Sequence, residues 1–131
     1  MADAPTTPAP AGPYSSFRRA GDTVYLAGQT PRRPDGVRLL GSPFEVQVRQ
    51  TLDNLAAVAA MAGGSLRDAV KVSVFLRPGC DVAEFNAIYT DYVSEPYPAR
   101  ITTVSDLSVG DVEVDAILFL PVTPTEGGRV S

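Results

Sequence analysis

Three short segments place chemically useful side chains in a chain that has few of them. These segments are Gly12-Pro13-Tyr14-Ser15, Pro98-Ala99-Arg100 and Val112-Glu113-Val114-Asp115-Ala116. Together they carry a phenol, a guanidinium and two carboxylates. A fixed guanidinium suits a substrate carboxylate, and a nearby carboxylate can orient or activate water. The three segments therefore predict chemistry on a small anionic molecule.

The side chains that the sequence lacks exclude several mechanisms. The chain of 131 residues has no histidine, and its only cysteine is Cys80. Without histidine, Ser-His-Asp and Cys-His catalysis and the common zinc sites are excluded. A single cysteine allows neither a disulfide framework nor a Cys-x-x-Cys centre within one chain. Lys71 is the only lysine, so it is the one candidate for Schiff-base chemistry.

Charge and hydropathy argue against two kinds of partner. The net charge of −4 and the pI of about 4.7 oppose a broad contact with nucleic acid phosphates. No apolar run approaches the roughly 20 residues that a membrane helix requires. The N-terminus also lacks a basic region followed by an apolar stretch. We therefore expect a cytoplasmic protein that binds neither nucleic acid nor membrane.

Helical periodicity is clearest between residues 42 and 64. Ser42 and Glu45 have the spacing of a capping box, with Pro43 at the first helical position. An apolar stripe follows at spacings of three and four residues, formed by Val48, Leu52, Leu55, Ala59 and Ala62. Gly63-Gly64 is predicted to end the helix, because glycine readily adopts the left-handed cap conformation.

Alternation and turn residues predict five strands and a second helix. The strands cover residues 17–20, 23–27, 70–76, 100–104 and 111–120, and the helix covers residues 82–93 after a capping pair, Asp81 and Glu84. On the middle strand, one face comprises Val70, Val72, Val74 and Leu76. The order β-β-α-β-α-β-β predicts a two-layer α+β domain over residues 14–121, with both helices on one face of a mixed sheet. Residues 1–13 and 122–131 are predicted to be flexible tails, and the N-terminal tail is predicted to dock only near its end.

The sheet face opposite the helices is predicted to mix apolar and charged side chains. It carries Glu113, Asp115, Ile117 and Phe119 on the last strand, and Lys71, Ser73 and Phe75 on the middle strand. Such a mixture indicates a partner surface. Self-association is the simplest explanation, and a site shared between subunits would follow from it.

Each candidate residue also has a purely structural interpretation. Arg100 could hold a substrate carboxylate or form a surface ion pair, and it would lie opposite Glu113 if the last two strands pair. Glu113 is the better candidate for function, whereas Asp115 suits structural hydrogen bonds. The phenol of Tyr14 could orient or shield a ligand, or its ring could simply pack. Asn86 could be an ordinary amide on a helix surface.

Over residues 12 to 120 the chain resembles the RidA/YjgF family of enamine/imine deaminases. Besides the three segments above, the resemblance rests on Gly28-Gln29, Gln50-Thr51-Leu52-Asp53-Asn54-Leu55, Val70-Lys71-Val72-Ser73-Val74-Phe75-Leu76 and Phe85-Asn86. It implies a chorismate mutase-like fold assembled as a homotrimer, with clefts between subunits. It also implies hydrolysis of 2-imino or enamine acids to 2-keto acids and ammonia, without metal or cofactor.

The resemblance assigns roles to individual residues. Arg100 matches the family arginine that binds the substrate carboxylate, and Glu113 matches the acid associated with the attacking water. Tyr14 matches the tyrosine at the cleft, and Gly28 matches a backbone contact near the ligand. Asn86 belongs to the predicted substrate-binding set.

Departures from the family pattern leave two alternatives open. Thr102, also predicted to bind substrate, stands where many deaminating members have cysteine, and Ala27 stands where many have serine. These differences allow a non-catalytic protein that binds small ligands. The loop with Arg32 and Arg33 resembles that of 2-aminomuconate deaminases, whose substrate has two carboxylates. This loop allows a specialised pathway deaminase and predicts a dianionic or larger substrate, unless both arginines are merely solvated.

Overall fold

Two helices cover one face of a five-stranded mixed sheet in the computed structural model, which describes residues 7–122. The elements are β1 (Phe17–Ala20), β2 (Thr23–Gln29), α1 (Phe44–Met61), a 3-10 turn (Leu66–Asp68), β3 (Ala69–Leu76), α2 (Val82–Tyr89), β4 (Ala99–Val104) and β5 (Val112–Phe119). The strands are ordered β1-β2-β5-β3-β4. The β3–β4 pair is parallel and the other pairs are antiparallel. The predicted two-layer α+β architecture and element order are confirmed.

The core lies between the helices and the sheet. Its largest fully buried side chains include Phe85, Leu52, Leu55, Leu76, Leu118, Val48 and Val74. Burial of each such side chain contributes about 1.5–3 kcal/mol. The predicted end of α1 is confirmed: Gly63 has a φ of +93°, and the amide of Gly64 donates to the Ala59 carbonyl at 2.9 Å.

The predicted capping box of α1 is wrong. Pro43 holds the N-cap position in an extended conformation, with a ψ of 148°, so Ser42 lies outside the helix. No side chain caps this helix end. Glu45 instead accepts a hydrogen bond from Arg49 at 2.9 Å, one turn further along the helix. Because Pro43 is the N-cap, the helix begins one residue later than predicted, and the predicted capping box does not form.

The second helix is shorter than predicted. Asp81 does cap it, because its carboxylate accepts hydrogen bonds from the amides of Ala83 and Glu84. However, α2 ends at Tyr89 rather than at Val93. Val93 is nevertheless buried, at 6% exposure. Its apolar character therefore reflects packing of the segment after the helix, which helical periodicity cannot distinguish from the helix itself.

A register shift changes the predicted faces of β3. The pairing with β5 shifts between Ala69 and Lys71. As a result Val70 is half exposed, and Ala69 is buried in its place. Val72, Val74 and Leu76 face the core as predicted.

The last two strands do not pair with each other, which corrects the expected position of Arg100 opposite Glu113. β3 lies between β4 and β5. Arg100 is in register with Val72, whose side chain is buried beneath the helices. Glu113 alternates with the buried Val112 and Val114, so its side chain leaves the opposite face of the sheet.

The ends of the described chain are tied to the domain. Thr7 and Pro8 are buried, and the Thr7 hydroxyl lies 3.9 Å from the sulfur of Met61. Near the other end, the amide of Val122 donates to the Asp22 carboxylate at 3.1 Å. Residues 7–13 of the predicted N-terminal tail therefore contact the domain. Residues 1–6 and 123–131 lie outside the described residues.

Candidate active site

A cleft of about 230 Å³, here called the Glu113 cleft, opens between β2, the start of β5 and the N-terminal segment. Its lining includes Tyr14, Gly28 and Glu113, together with Arg32 and Arg38. Three predicted site residues therefore lie together in one chain. The cleft offers a carboxylate, a phenol and positive charge, the types of group needed to hold an anion beside a water molecule.

Glu113 is partly buried on the sheet face that the helices leave open. Burial raises the pKa of its carboxyl, and the negative charge of Asp115, two residues along the same strand, raises this pKa further. A carboxylate with a raised pKa accepts a proton from water more readily than an ordinary one. The environment of Glu113 therefore suits a general base.

Gly28 provides the space that the Glu113 carboxylate occupies. A Cβ atom at position 28 would collide with Oε2 of Glu113 and would lie 3.3 Å from its Cδ. Any side chain here would displace the carboxylate. Glycine at this position is therefore explained by the neighbouring acid, in addition to the backbone contact implied by the resemblance.

Backbone from the N-terminal segment forms one wall of the Glu113 cleft. The lining includes residues 8–11. The amide of Ala11 donates to the Tyr14 hydroxyl at 3.2 Å, and the guanidinium of Arg32 donates to the Ala9 carbonyl at 2.8 Å. Two lining side chains thus hold this segment in place, while the Tyr14 ring remains about half exposed.

A second cleft of about 330 Å³, here called the Arg100 cleft, lies between α2 and β4. It is lined by Asn86, Tyr89, Thr90, Tyr97, Pro98 and Arg100. The Arg100 guanidinium donates to Oδ1 of Asn86 at 2.7 Å. Its central carbon lies 4.9 Å from the ring centroid of Tyr89 and 5.5 Å from that of Phe85. Cation–π contacts of this kind favour a guanidinium held flat against the rings.

Arg100 keeps its charge available. Within residues 7–122, no carboxylate lies within ion-pairing distance of its guanidinium. Asn86, a neutral acceptor, orients the group without neutralising it. The structural alternative of a surface ion pair therefore does not describe Arg100 in this chain, and the side chain suits an anionic ligand.

The two clefts lie on opposite faces of the sheet. Arg100 projects toward the helices and Glu113 projects from the open face. Thr102 is on the same face of β4 as Arg100 but does not belong to the lining of the Arg100 cleft. One chain therefore does not bring the predicted anchor and the predicted base together.

Two buried amides of α1 support the Glu113 cleft from below. The Gln47 side chain donates to the Asp111 carboxylate at 3.1 Å and accepts from the Asp111 amide at 2.8 Å, just before β5 begins. The Asn54 side chain donates to the carbonyls of Thr30 and Arg32 at 3.1 and 2.8 Å. Both side chains are almost completely buried. They fix the backbone on two sides of the cleft.

These supporting residues were not identified from the sequence, although a signal was present. Gln47 and Asn54 fall on the apolar stripe of α1, seven residues apart. A polar side chain on a buried helix face requires a hydrogen-bond partner. Arg38 was also missed, because a loop arginine carries no comparable periodic signal.

Two further features are absent from residues 7–122. No group of three or more histidine, cysteine, aspartate or glutamate side chains within residues 7–122 could hold a metal ion. Neither helix in that part of the chain is long and apolar enough to cross a membrane.

Comparison with known proteins identifies the family. A family model described as Endoribonuclease L-PSP matches residues 4–119. A RutC family protein of Pyrococcus horikoshii is 37% identical over 86% of this chain and 90% of its own length. A protein of Dermatophagoides farinae named 2-iminobutanoate/2-iminopropanoate deaminase is 32% identical over 88% of this chain and 92% of its own. The crystal structure of RidA from an Antarctic Psychrobacter species superimposes with a TM-score of 0.82 at 37% identity, covering 88% and 94% of the two chains. The chain belongs to the RidA/YjgF family.

Proposed function

We propose that the protein hydrolyses small 2-imino and enamine acids to 2-keto acids and ammonia. The observation that carries this proposal is that the chain presents, in two separate clefts, a carboxylate of raised pKa, Glu113, and a guanidinium, Arg100, that has no carboxylate partner in residues 7–122. The name of the Dermatophagoides farinae relative supports the same reaction.

The reaction requires only binding, orientation and proton transfer. Arg100 binds the substrate carboxylate, and Tyr14 lies where it can cover the ligand. Glu113 takes a proton from water as the water oxygen bonds to the imine carbon, and the C=N electron pair moves to nitrogen. Glu113 gives this proton to the nitrogen, which forms a neutral amino alcohol. Glu113 then takes the proton of the hydroxyl group and passes it to the nitrogen as the carbonyl forms and the carbon–nitrogen bond breaks, so the nitrogen leaves as ammonia. Imine plus water thus gives keto acid plus ammonia.

A complete site requires a second copy of the chain, because Arg100 and Glu113 lie on opposite faces of the sheet. On the open face, Tyr25, Ile101 and Phe119 are each about half exposed. Covering such apolar groups favours association. In a ring of three copies, each subunit gives Arg100 to one neighbour and Glu113 to the other. We therefore include a homotrimer in the proposal.

Deaminase activity is tested by generating 2-iminopropanoate with an amino acid oxidase and trapping it with semicarbazide. The protein should accelerate loss of the imine. Arg100→Ala and Glu113→Gln should each remove the acceleration, whereas Arg33→Ala, which removes a charge outside both clefts, should retain it. No acceleration by the wild-type protein, together with measurable binding of pyruvate, would instead favour a non-catalytic ligand-binding protein.

The shared site is tested by mixing subunits. Arg100→Ala and Glu113→Gln proteins are unfolded together and refolded as an equal mixture. Random assembly gives about one quarter of the junctions both functional side chains, so about one quarter of wild-type activity should return. Light scattering should report about three times 13.8 kDa. An inactive mixture of correctly sized particles would contradict a site built between copies.

A further inference from the structure

Two arginines of one loop face the Glu113 cleft. Arg32 and Arg38 belong to its lining, whereas Arg33 does not. An isolated antiparallel bridge pairs Arg32 with Arg38. Directly opposed residues in such a bridge project to the same side, and the next residue along projects to the other. The bridge therefore explains why Arg38, rather than Arg33, accompanies Arg32.

The partners of the three arginines differ in charge. Arg33 forms an ion pair with Asp35 at 2.8 Å. Arg32 donates to the Ala9 carbonyl at 2.8 Å, and Arg38 donates to the Thr30 hydroxyl at 3.3 Å, so both have neutral partners. Neither has a carboxylate within ion-pairing distance among residues 7–122. The cleft thus holds two positive charges that only the charge of Glu113 offsets within its lining.

The backbone that carries these arginines is fixed from the core. Asn54 donates to the carbonyls of Thr30 and Arg32, and the amide of Leu39 donates to the Pro31 carbonyl at 2.9 Å. Both ends of the bridged loop are therefore held. A held loop presents its guanidinium groups with less loss of freedom on ligand binding than a mobile one.

We infer that Arg38 and Arg32 form a second anion subsite in the Glu113 cleft, and that the protein prefers 2-imino acids bearing a second, distal carboxylate. This inference rests on the proposed function, in which Arg100 of a neighbouring copy binds the carboxylate beside the imine carbon. The distal carboxylate then binds Arg38. The hydrogen bond from Arg38 to the Thr30 hydroxyl is longer than the one from Arg32 to the Ala9 carbonyl, so Arg38 can exchange it for a bond to the carboxylate. A substrate with one carboxylate leaves this subsite empty.

The kinetic test compares a dicarboxylic imine with a monocarboxylic imine. 2-Iminoglutarate and 2-iminopropanoate are generated by glutamate oxidase and amino acid oxidase, and each is trapped with semicarbazide. Wild type should show the higher kcat/KM for 2-iminoglutarate. Arg38→Gln should lower that value about 10- to 150-fold, the equivalent of one charge-assisted contact, and leave 2-iminopropanoate nearly unchanged. Arg38→Lys should retain part of the preference, and Arg33→Gln, the matched control, should retain all of it.

A binding measurement separates this inference from the proposed function. 2-Oxoglutarate and pyruvate are titrated into each protein by calorimetry, with circular dichroism confirming that each variant is folded. If wild type binds 2-oxoglutarate more tightly and Arg38→Gln abolishes the difference, the subsite stands even where no imine is hydrolysed. If imines are hydrolysed but Arg38→Gln affects both substrates equally or neither, the subsite is overturned and the proposed function stands. Absence of both hydrolysis and keto acid binding overturns both.

Discussion

The Arg100 cleft and the Glu113 cleft are built in different ways. Arg100 rests on Tyr89 and on Phe85, which is fully buried, and both rings belong to a helix packed on the sheet. The Glu113 cleft is bounded by loop and N-terminal backbone, and its carboxylate fits only because residue 28 has no side chain. The position of Arg100, the proposed anchor, is therefore set by the core, whereas the geometry around Glu113, the proposed base, depends on precise backbone placement.

The largest expected effect comes from removing the carboxylate of Glu113, the proposed base. Glu113→Gln keeps the shape of the side chain but cannot accept a proton, so we expect kcat to fall about 10²- to 10⁴-fold with little change in KM. Steady-state kinetics with 2-iminopropanoate measures kcat and KM separately. Asp115→Asn is the matched control on the same strand face and should retain most of kcat. A Glu113→Gln enzyme with near-normal kcat would remove Glu113 from the mechanism.

Filling the space beside the base should have the next largest effect. Gly28→Ala pushes the Glu113 carboxylate aside, and a displacement of this size costs up to about 100-fold in kcat. Binding of pyruvate through Arg100 should persist, as calorimetry would show. If Gly28→Ala weakened binding and left kcat intact, this would contradict the assignment of substrate binding to the Arg100 cleft and of proton transfer to the Glu113 cleft.

Loosening the anchor should have a smaller effect, because the aromatic rings still support it. Asn86→Ala removes the 2.7 Å hydrogen bond that orients the Arg100 guanidinium. We expect KM to rise about 3- to 10-fold while kcat changes little. Asn86→Asp offers a sharper comparison: it would neutralise Arg100 and should weaken substrate binding further. Equal kinetics for all three proteins would show that the rings alone position Arg100.

The smallest expected effect is a shift in pH dependence. Glu113 must be ionised to accept a proton, so activity should fall as the pH drops through its raised pKa. The charge of Asp115 contributes to that raised pKa, after burial. Asp115→Asn should therefore lower the pKa of Glu113 and move the acidic limb of the kcat profile to lower pH. A shift to higher pH would contradict this account of the electrostatics.

Most of the fold could be predicted because its elements have clear periodicity and are separated by turn residues, which gives their order along the chain. The failures have local physical causes. The pairing of β4 could not be read from the chain, because β5 follows it closely yet inserts between β2 and β3. Val70 fits the alternation of β3, but a register shift turns it outward. Periodicity shows which residues are apolar, but it does not show where the register between two paired strands shifts.

The candidate site was predictable residue by residue but not as an arrangement. Tyr14, Gly28 and Glu113 were identified and lie in one cleft. The separation of Arg100 from Glu113 depends on strand order, which motif spacing does not contain. Arg38 lines the cleft because an isolated bridge pairs it with Arg32, and such a pairing leaves no periodic pattern in the sequence.

Asn54 has a consequence for how this protein could diversify. It holds the loop of Arg32 and Arg38 through main-chain carbonyls alone, so its grip does not depend on which side chains the loop displays. Replacements at positions 33 and 38 are therefore expected to change which molecules bind without moving Glu113 or Arg100. Substitutions in this loop could therefore change substrate selectivity without any substitution at Glu113 or Arg100.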